Sequence, residues 1–171
     1  MVISRKEQIR FTFGTFSLGL ALVAASDKGI LAIMMADSED KLRTELASEF
    51  SHARLIPDES GLAETVAQVT AFLDASHTQF DLLLDIRGTD QEQMIWRALR
   101  QIPPGETKTY GEIAKALPLF TTAQDVGAAC AANRLAVAIP CHRVVKADGS
   151  ISGYRWGLNR KRKLINREAV A

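Results

Sequence analysis

Apolar positions recur at two spacings along this chain, and the change from one to the other predicts where strands give way to helices. Phe16 to Ala25 is largely apolar, Ser26-Asp27-Lys28-Gly29 has the composition of a tight turn, and Ile30 to Met35 is apolar again. Two strands joined by a short loop are expected there. Leu42, Leu46 and Phe50 then recur every fourth residue, and Leu62, Val66, Val69 and Leu73 mark one face of a second helix, with Pro57 between the two. Phe80 to Ile86 reads as a short extended segment, and nothing in the chain repeats.

The second half is mainly helical, with marked starts. Thr89-Asp90-Gln91-Glu92 is a capping box: the hydroxyl accepts from the first turn while the acid three residues on reaches back. The helix it opens carries Ile95, Ala98, Leu99 and Ile102 inward and stops at Pro103-Pro104-Gly105. Thr109-Tyr110-Gly111-Glu112 opens a short helix through Leu117, and Thr122-Ala123-Gln124-Asp125 opens a third to about Asn133. Two short helices with a tight connection form a helix-turn-helix candidate, a spacing that ordinary packing partners share.

With 171 residues, 47% apolar and 24% charged, the chain can bury a core as one domain or two small ones. No apolar run approaches the roughly 18–20 residues of a membrane helix, and the charged start Met1 to Glu7 lacks the apolar stretch of a secretion signal, so a cytoplasmic protein is expected. Two cysteines (Cys130, Cys141) and three histidines (His52, His77, His142) make neither a disulfide framework nor a four-ligand zinc site. Reduced thiols and no metal are the expectation.

The formal charge of +1 hides a division. Residues 1–85 carry 7 Lys/Arg against 13 Asp/Glu, a net of −6, and residues 86–171 carry 14 against 7, a net of +7. The boundary predicts domains 1–85 and 86–171 with a linker near 76–88. A basic second half points to a polyanionic partner, nucleic acid first, although ordinary helical surfaces also differ in charge.

Candidate chemistry gathers where the apolar run Ala136 to Pro140 meets Cys141-His142-Arg143-Val144-Val145. A thiol attacks as thiolate, and cationic or proton-accepting neighbours favour that form; His142 and Arg143 supply both. Consecutive side chains in an extended loop point apart, so His142 is expected to reach the sulfur through water, with a third group orienting the imidazole. A small buried cysteine beside a surface His-Arg pair is the plainer alternative. Cys130, among Ala128, Ala129, Ala131 and Ala132, reads as a small residue that permits close helix packing.

Pro140-Cys141-His142-Arg143, the downstream Ser152-Gly153-Tyr154 and Gly157-Leu158, and the upstream Ile102-Pro103, Gly105 and Thr109-Tyr110 together resemble the O6-alkylguanine-DNA alkyltransferases, densely over residues 86–169 and in outline before them. The resemblance implies an α/β fold: a small N-terminal ribonuclease-H-like sheet-plus-helix region packed on a helical C-terminal domain with a helix-turn-helix. It implies direct-reversal DNA repair in one turnover without cofactor. Cys141 would accept the alkyl group from guanine O6, His142 would act as base, Glu168 would orient the histidine, Asn133 would stabilise the turn, and Tyr110 would crowd the target phosphate and protonate the leaving guanine. Tyr110, Ala123, Gln124 and Arg143 would meet DNA. Val144, Ser152, Gly153 and Tyr154 would enclose the flipped base, with Trp156 a candidate border. The implied partner is double-stranded DNA containing O6-alkylguanine, with O4-alkylthymine a further candidate lesion, and a monomer acting without a membrane.

Departures from that pattern bear on DNA affinity. Gln124 stands where the family has an intercalating arginine, Asp125 where a small residue is usual, Gln91 for an aromatic, and Leu119-Phe120 for a Gly/Pro-containing turn. The alternatives are a lesion-binding or weakly active relative with impaired base flipping, and an ordinary cysteine hydrolase. Asp125 also suits the first helical turn electrostatically. The basic run Arg160 to Lys163, with Arg155 and Arg167, is read as mostly solvated on a helix whose Leu158, Leu164 and Ile165 pack inward; Trp96 is read as core.

Overall fold

The computed structural model describes residues 5–118 and 120–171, and the protein is of mixed α/β type. The start Met1 to Ser4 and Leu119, both drawn into the expectations above, lie outside the described residues. The chain divides into two units, Met1–Asp74 with Asp81–Asp85, and Ala75–Phe80 with Ile86–Ala171.

In the first unit three strands, β1 (Gln8–Phe16), β2 (Gly19–Ser26) and β3 (Gly29–Ala36), form an antiparallel meander, and β4 (Arg54–Pro57) lies parallel to β1 in the order β3-β2-β1-β4. The expected hairpin is therefore the second of two. Its first strand was placed from Phe16; instead Phe16 closes β1, whose Gln8-Ile9-Arg10-Phe11 alternation marks a strand with one covered face. Helix α1 (Glu39–Glu49), capped by the Ser38 side chain, sets Leu42 and Leu46 against Ile9, Phe11, Leu22, Met34 and Phe50. On the alternate positions of β1, Gly14 meets α2 (Ala63–Asp74): an added Cβ would stand 2.8 Å from Val66 Cγ2 and 3.0 Å from Thr70 Cγ2. Absence of a side chain lets that helix approach. Phe80–Ile86 is not a strand, but Leu84 bridges to Ile30, and Ser26 donates to Asp85 at 2.5 Å.

In the second unit α3 (Asp90–Leu99) begins with the expected reciprocal Thr89/Glu92 box and buries Ile95, Trp96 and Leu99; the indole of Trp96 donates to the Ala129 carbonyl at 2.8 Å. Gly105, at φ 87°, takes the turn after the two prolines. Strand β5 (Lys108–Thr109) runs straight into α4 (Tyr110–Ala116) and pairs in parallel with β6 (Val144–Val145). This ladder brings the start of α4 beside the Cys-His-Arg segment. Helix α5 (Ala123–Ala132) opens with a Thr122/Asp125 box in which the aspartate accepts from the Thr122 amide, so Asp125 serves the helix start. Helix α6 (Leu158–Ala169) closes the chain. The segment Ala75–Phe80 belongs to this unit, not to the preceding one as the boundary at residue 85 implied, because Ser76 is bonded to Glu168 and Arg143. Among the described residues no helix is long and apolar enough to cross a membrane.

Candidate active site

Cys141 opens a single 3-10 turn, Cys141–Arg143, at the end of the apolar loop that follows α5. Asn133, the fully buried C-cap of α5, organises that loop: its amide nitrogen donates to the Ile139 carbonyl at 3.0 Å and to Cys141 Sγ at 3.3 Å, and its oxygen accepts from the Leu135 amide at 2.8 Å. The loop is tight enough to hold Val137 at φ 67°, a left-handed conformation that a β-branched residue adopts only with steric strain.

Cys141 is 3% exposed and lines a cavity of about 330 Å³, together with Tyr110, Cys130, Gly153, Tyr154 and Arg155. A hydrogen bond from Cys130 is the strongest influence on the Cys141 thiol and pulls its pKa down; burial opposes this, while the Asn133 amide and the Lys161 ammonium assist. The same bond pushes the Cys130 thiol up. Cys130 is thus part of the cavity wall beside Cys141, a place that its reading as a helix-packing residue did not include. Its spacing from Gly127 and Ala131 on one face of α5 carried the signal.

His142 is fully buried, and Glu168 Oε2 lies 3.0 Å from its Nε2. Burial presses the Glu168 carboxyl toward neutrality. Hydrogen bonds from Arg143, from His142 and from Ser76 outweigh that and hold it at about 2. Arg143 contributes Nε to Oε1 at 2.8 Å and Nη2 to Oε2 at 2.9 Å, and Ser76 Oγ donates to Oε2 at 2.7 Å. An ionised carboxylate accepts only, so Nε2 of His142 carries the ring proton and Nδ1 holds the lone pair. Among the described residues Nδ1 has no hydrogen-bond partner, and burial lowers the imidazole pKa against the pull of Glu168. The ring is therefore a neutral, buried proton acceptor.

Arg143, expected at DNA, is 6% exposed, with its guanidinium divided among Glu168, the Ile102 carbonyl at 2.7 Å and the Ser76 carbonyl. A cation so engaged cannot reach a phosphate, and that expectation is corrected. Of the expected pocket residues, Gly153 and Tyr154 line the cavity, whereas Val144 is buried in β6 and Trp156 sits behind the wall, its ring edge-on to Tyr154 with centroids 5.4 Å apart. Ser152 is no wall residue either. Its carbonyl is an anchor, accepting from Tyr110 Oη at 3.5 Å and from Lys161 Nζ at 3.0 Å. Burial raises the Tyr110 hydroxyl pKa. Lys161, placed with a solvated run, is buried; its period with Leu164 and Glu168 on the inner face of α6 could have shown this. Leu158, expected inward, is 44% exposed. Ala123 and Gln124 stand exposed in the first turn of α5. Ser76, at a distance of 92 residues from Glu168, gave no sequence signal.

Residues 90–170 match the family model described as 6-O-methylguanine DNA methyltransferase, DNA binding domain. The chain is 45% identical to the bifunctional transcriptional activator/DNA repair enzyme Ada of Escherichia coli over 161 residues, covering 94% of this chain and 46% of that one, so it spans about half the length of that relative. It is 43% identical to a methylated-DNA–protein-cysteine methyltransferase of Mycobacterium tuberculosis over 124 residues, covering 72% of this chain and 75% of the relative. The crystal structure of Mycobacterium tuberculosis O6-methylguanine methyltransferase superposes with a TM-score of 0.76 at 33% identity over 95% of this chain and 93% of that one. The structure of the same protein in complex with DNA gives 0.77 at 34%, with the same coverage. On these matches the chain belongs to the methylated-DNA–protein-cysteine (O6-methylguanine-DNA) methyltransferase family.

Proposed function

We propose that this protein repairs DNA by direct reversal, taking an alkyl group, methyl above all, from O6 of guanine in double-stranded DNA onto Cys141. The observation that carries this is a cysteine drawn toward thiolate on a cavity wall, with a neutral imidazole and an ionised carboxylate behind it. The thiol proton passes through a bound water to Nδ1 of His142, and Glu168 steadies the imidazolium that results. The thiolate then forms a bond to the alkyl carbon as the bond from that carbon to O6 breaks. The electron pair leaves with guanine, which takes a proton from Tyr110 at the cavity edge. The lesion lies on the base-pairing edge, so the nucleotide must leave the stack before a sulfur can approach in line. The product is a thioether, which offers water no carbonyl, so each molecule acts once.

The antiparallel meander with parallel β4 and two helices supports a ribonuclease-H-like first domain, and α4 with α5 supports a helix-turn-helix that presents Ala123 and Gln124 to duplex DNA. Asn133 holds the acceptor loop, and Gly153 and Tyr154 flank the extruded base. O4-alkylthymine is a further candidate lesion, and the protein acts as a cytoplasmic monomer. Retention of Cys141 with its proton acceptor speaks against a module that only binds lesions. Incubation with a duplex bearing one O6-methylguanine should add one methyl per protein, mapped to Cys141 by peptide mass, and Cys141→Ala should take none while melting normally. A methyl left on DNA under excess intact protein would end this reading.

A further inference from the structure

The turn between α4 and α5 carries an aromatic side chain that neither the core nor the acceptor chemistry uses. Phe120 is 101% exposed, and its backbone sits at φ 55°, a left-handed conformation that a bulky L-residue holds only against a clash with its own Cβ. The turn is fixed on both sides of it: Thr121 Oγ1 donates to the Pro118 carbonyl at 3.0 Å, and Thr122 caps α5. A ring left in water and a strained backbone both cost free energy, and among the described residues none shields the ring from water. Meanwhile the exposed start of α5, Thr122, Ala123 and Gln124, offers no cation to a phosphate and no flat apolar group to a base.

We propose that Phe120 inserts its ring into the base stack of the duplex beside the lesion and holds open the gap that an extruded nucleotide leaves. This rests on the alkyl-transfer reading above for its partner, duplex DNA. A planar apolar ring can unstack a base step and then stack on the exposed base faces, a role that the amide of Gln124 fills less well because it has no comparable plane.

The test compares the wild type with Phe120→Asn, which tolerates the left-handed backbone but removes the ring, and with Phe120→Trp, which keeps an aromatic plane. Single-turnover transfer is read by intact mass on a duplex with one O6-methylguanine and on free O6-benzylguanine, which needs no DNA. Binding to the labelled duplex is read by fluorescence anisotropy. Phe120→Asn should lower both duplex transfer and duplex affinity by roughly tenfold, the scale of one lost base–aromatic stack. Its free-base transfer should stay within about twofold of wild type, and Phe120→Trp should behave as wild type. The proposal is overturned if Phe120→Asn matches wild type on the duplex, or if free-base transfer falls as far as duplex transfer. Self-association of the wild type that Phe120→Asn abolishes in sedimentation would also overturn it. Should the wild type take no methyl from DNA, the alkyl-transfer reading fails, and the anisotropy comparison still decides the role of Phe120.

Discussion

At the scale of single residues, the Cys141 thiol is tuned by groups far from it in sequence. Cys130 lines the same cavity as Cys141 and lowers the pKa of its thiol, which favours the ionised form. Cys130→Ala should therefore move the pH midpoint of Cys141 alkylation by iodoacetamide upward and slow methyl transfer at neutral pH by roughly two- to tenfold, the range of one net hydrogen bond. An unchanged midpoint would assign Cys130 to packing alone. Glu168 predicts a pH dependence of stability. Its carboxyl lies at about 2 in the fold against an ordinary 4.5, so the unfolded chain binds the proton first on acidification. Stability from this carboxylate is complete above pH 4.5 and is lost as pH falls toward 2. His142 acts in the same direction from a higher starting point: its pKa is lowered from 6.5, and the unfolded chain gains a proton below that value which the buried ring resists. Urea midpoints should thus fall as pH drops from 7 to 5 and again below 4.5. Glu168→Gln should flatten the lower limb, at a cost of about 3 kcal/mol at neutral pH from the buried Arg143 it leaves unpaired. A midpoint flat with pH in the wild type would refute both assignments.

At the scale of elements, local chemistry was legible and long-range pairing was not. The starts at Thr89, Thr109 and Thr122 were readable because a helix cap is written within four residues. The pairing of β1 with β4, more than forty residues apart, and of β5 with β6 leaves no local mark, and the latter is what brings Tyr110 beside Cys141. Cys141, His142 and Glu168 could be named from motif and resemblance. The true surroundings of Arg143 could not, because its partners come from Ser76, Ile102 and Glu168. The Gly14 approach gives an element-scale prediction. Gly14→Val would push a branched side chain into Val66 and Thr70 of α2 and should lower stability by about 1–3 kcal/mol in chemical denaturation. No loss would mean that α2 shifts freely on the sheet.

For the molecule as a whole, charge is divided more sharply than composition reveals. The basic excess of residues 86–171 is borne partly by groups that serve the interior, Arg143 and Lys161 among them. The cations left for phosphate contacts are therefore fewer than +7 suggests. Affinity for duplex DNA should fall linearly in log–log against salt, with a slope of about −0.9 per phosphate contacted, while transfer from free O6-benzylguanine should ignore salt. Equal salt sensitivity of the two would place the effect on the fold.

The amide of Asn133 ties the reactive atom to the end of a helix, and it does so with a bond that a thiolate accepts well and a thioether accepts poorly. If Cys141 takes up an alkyl group as proposed, one completed transfer would thus cut a tether in the very molecule that performed it. Spent copies should melt at lower temperature than fresh ones and yield sooner to protease, so that the record of a mended base is kept in the weakened protein itself.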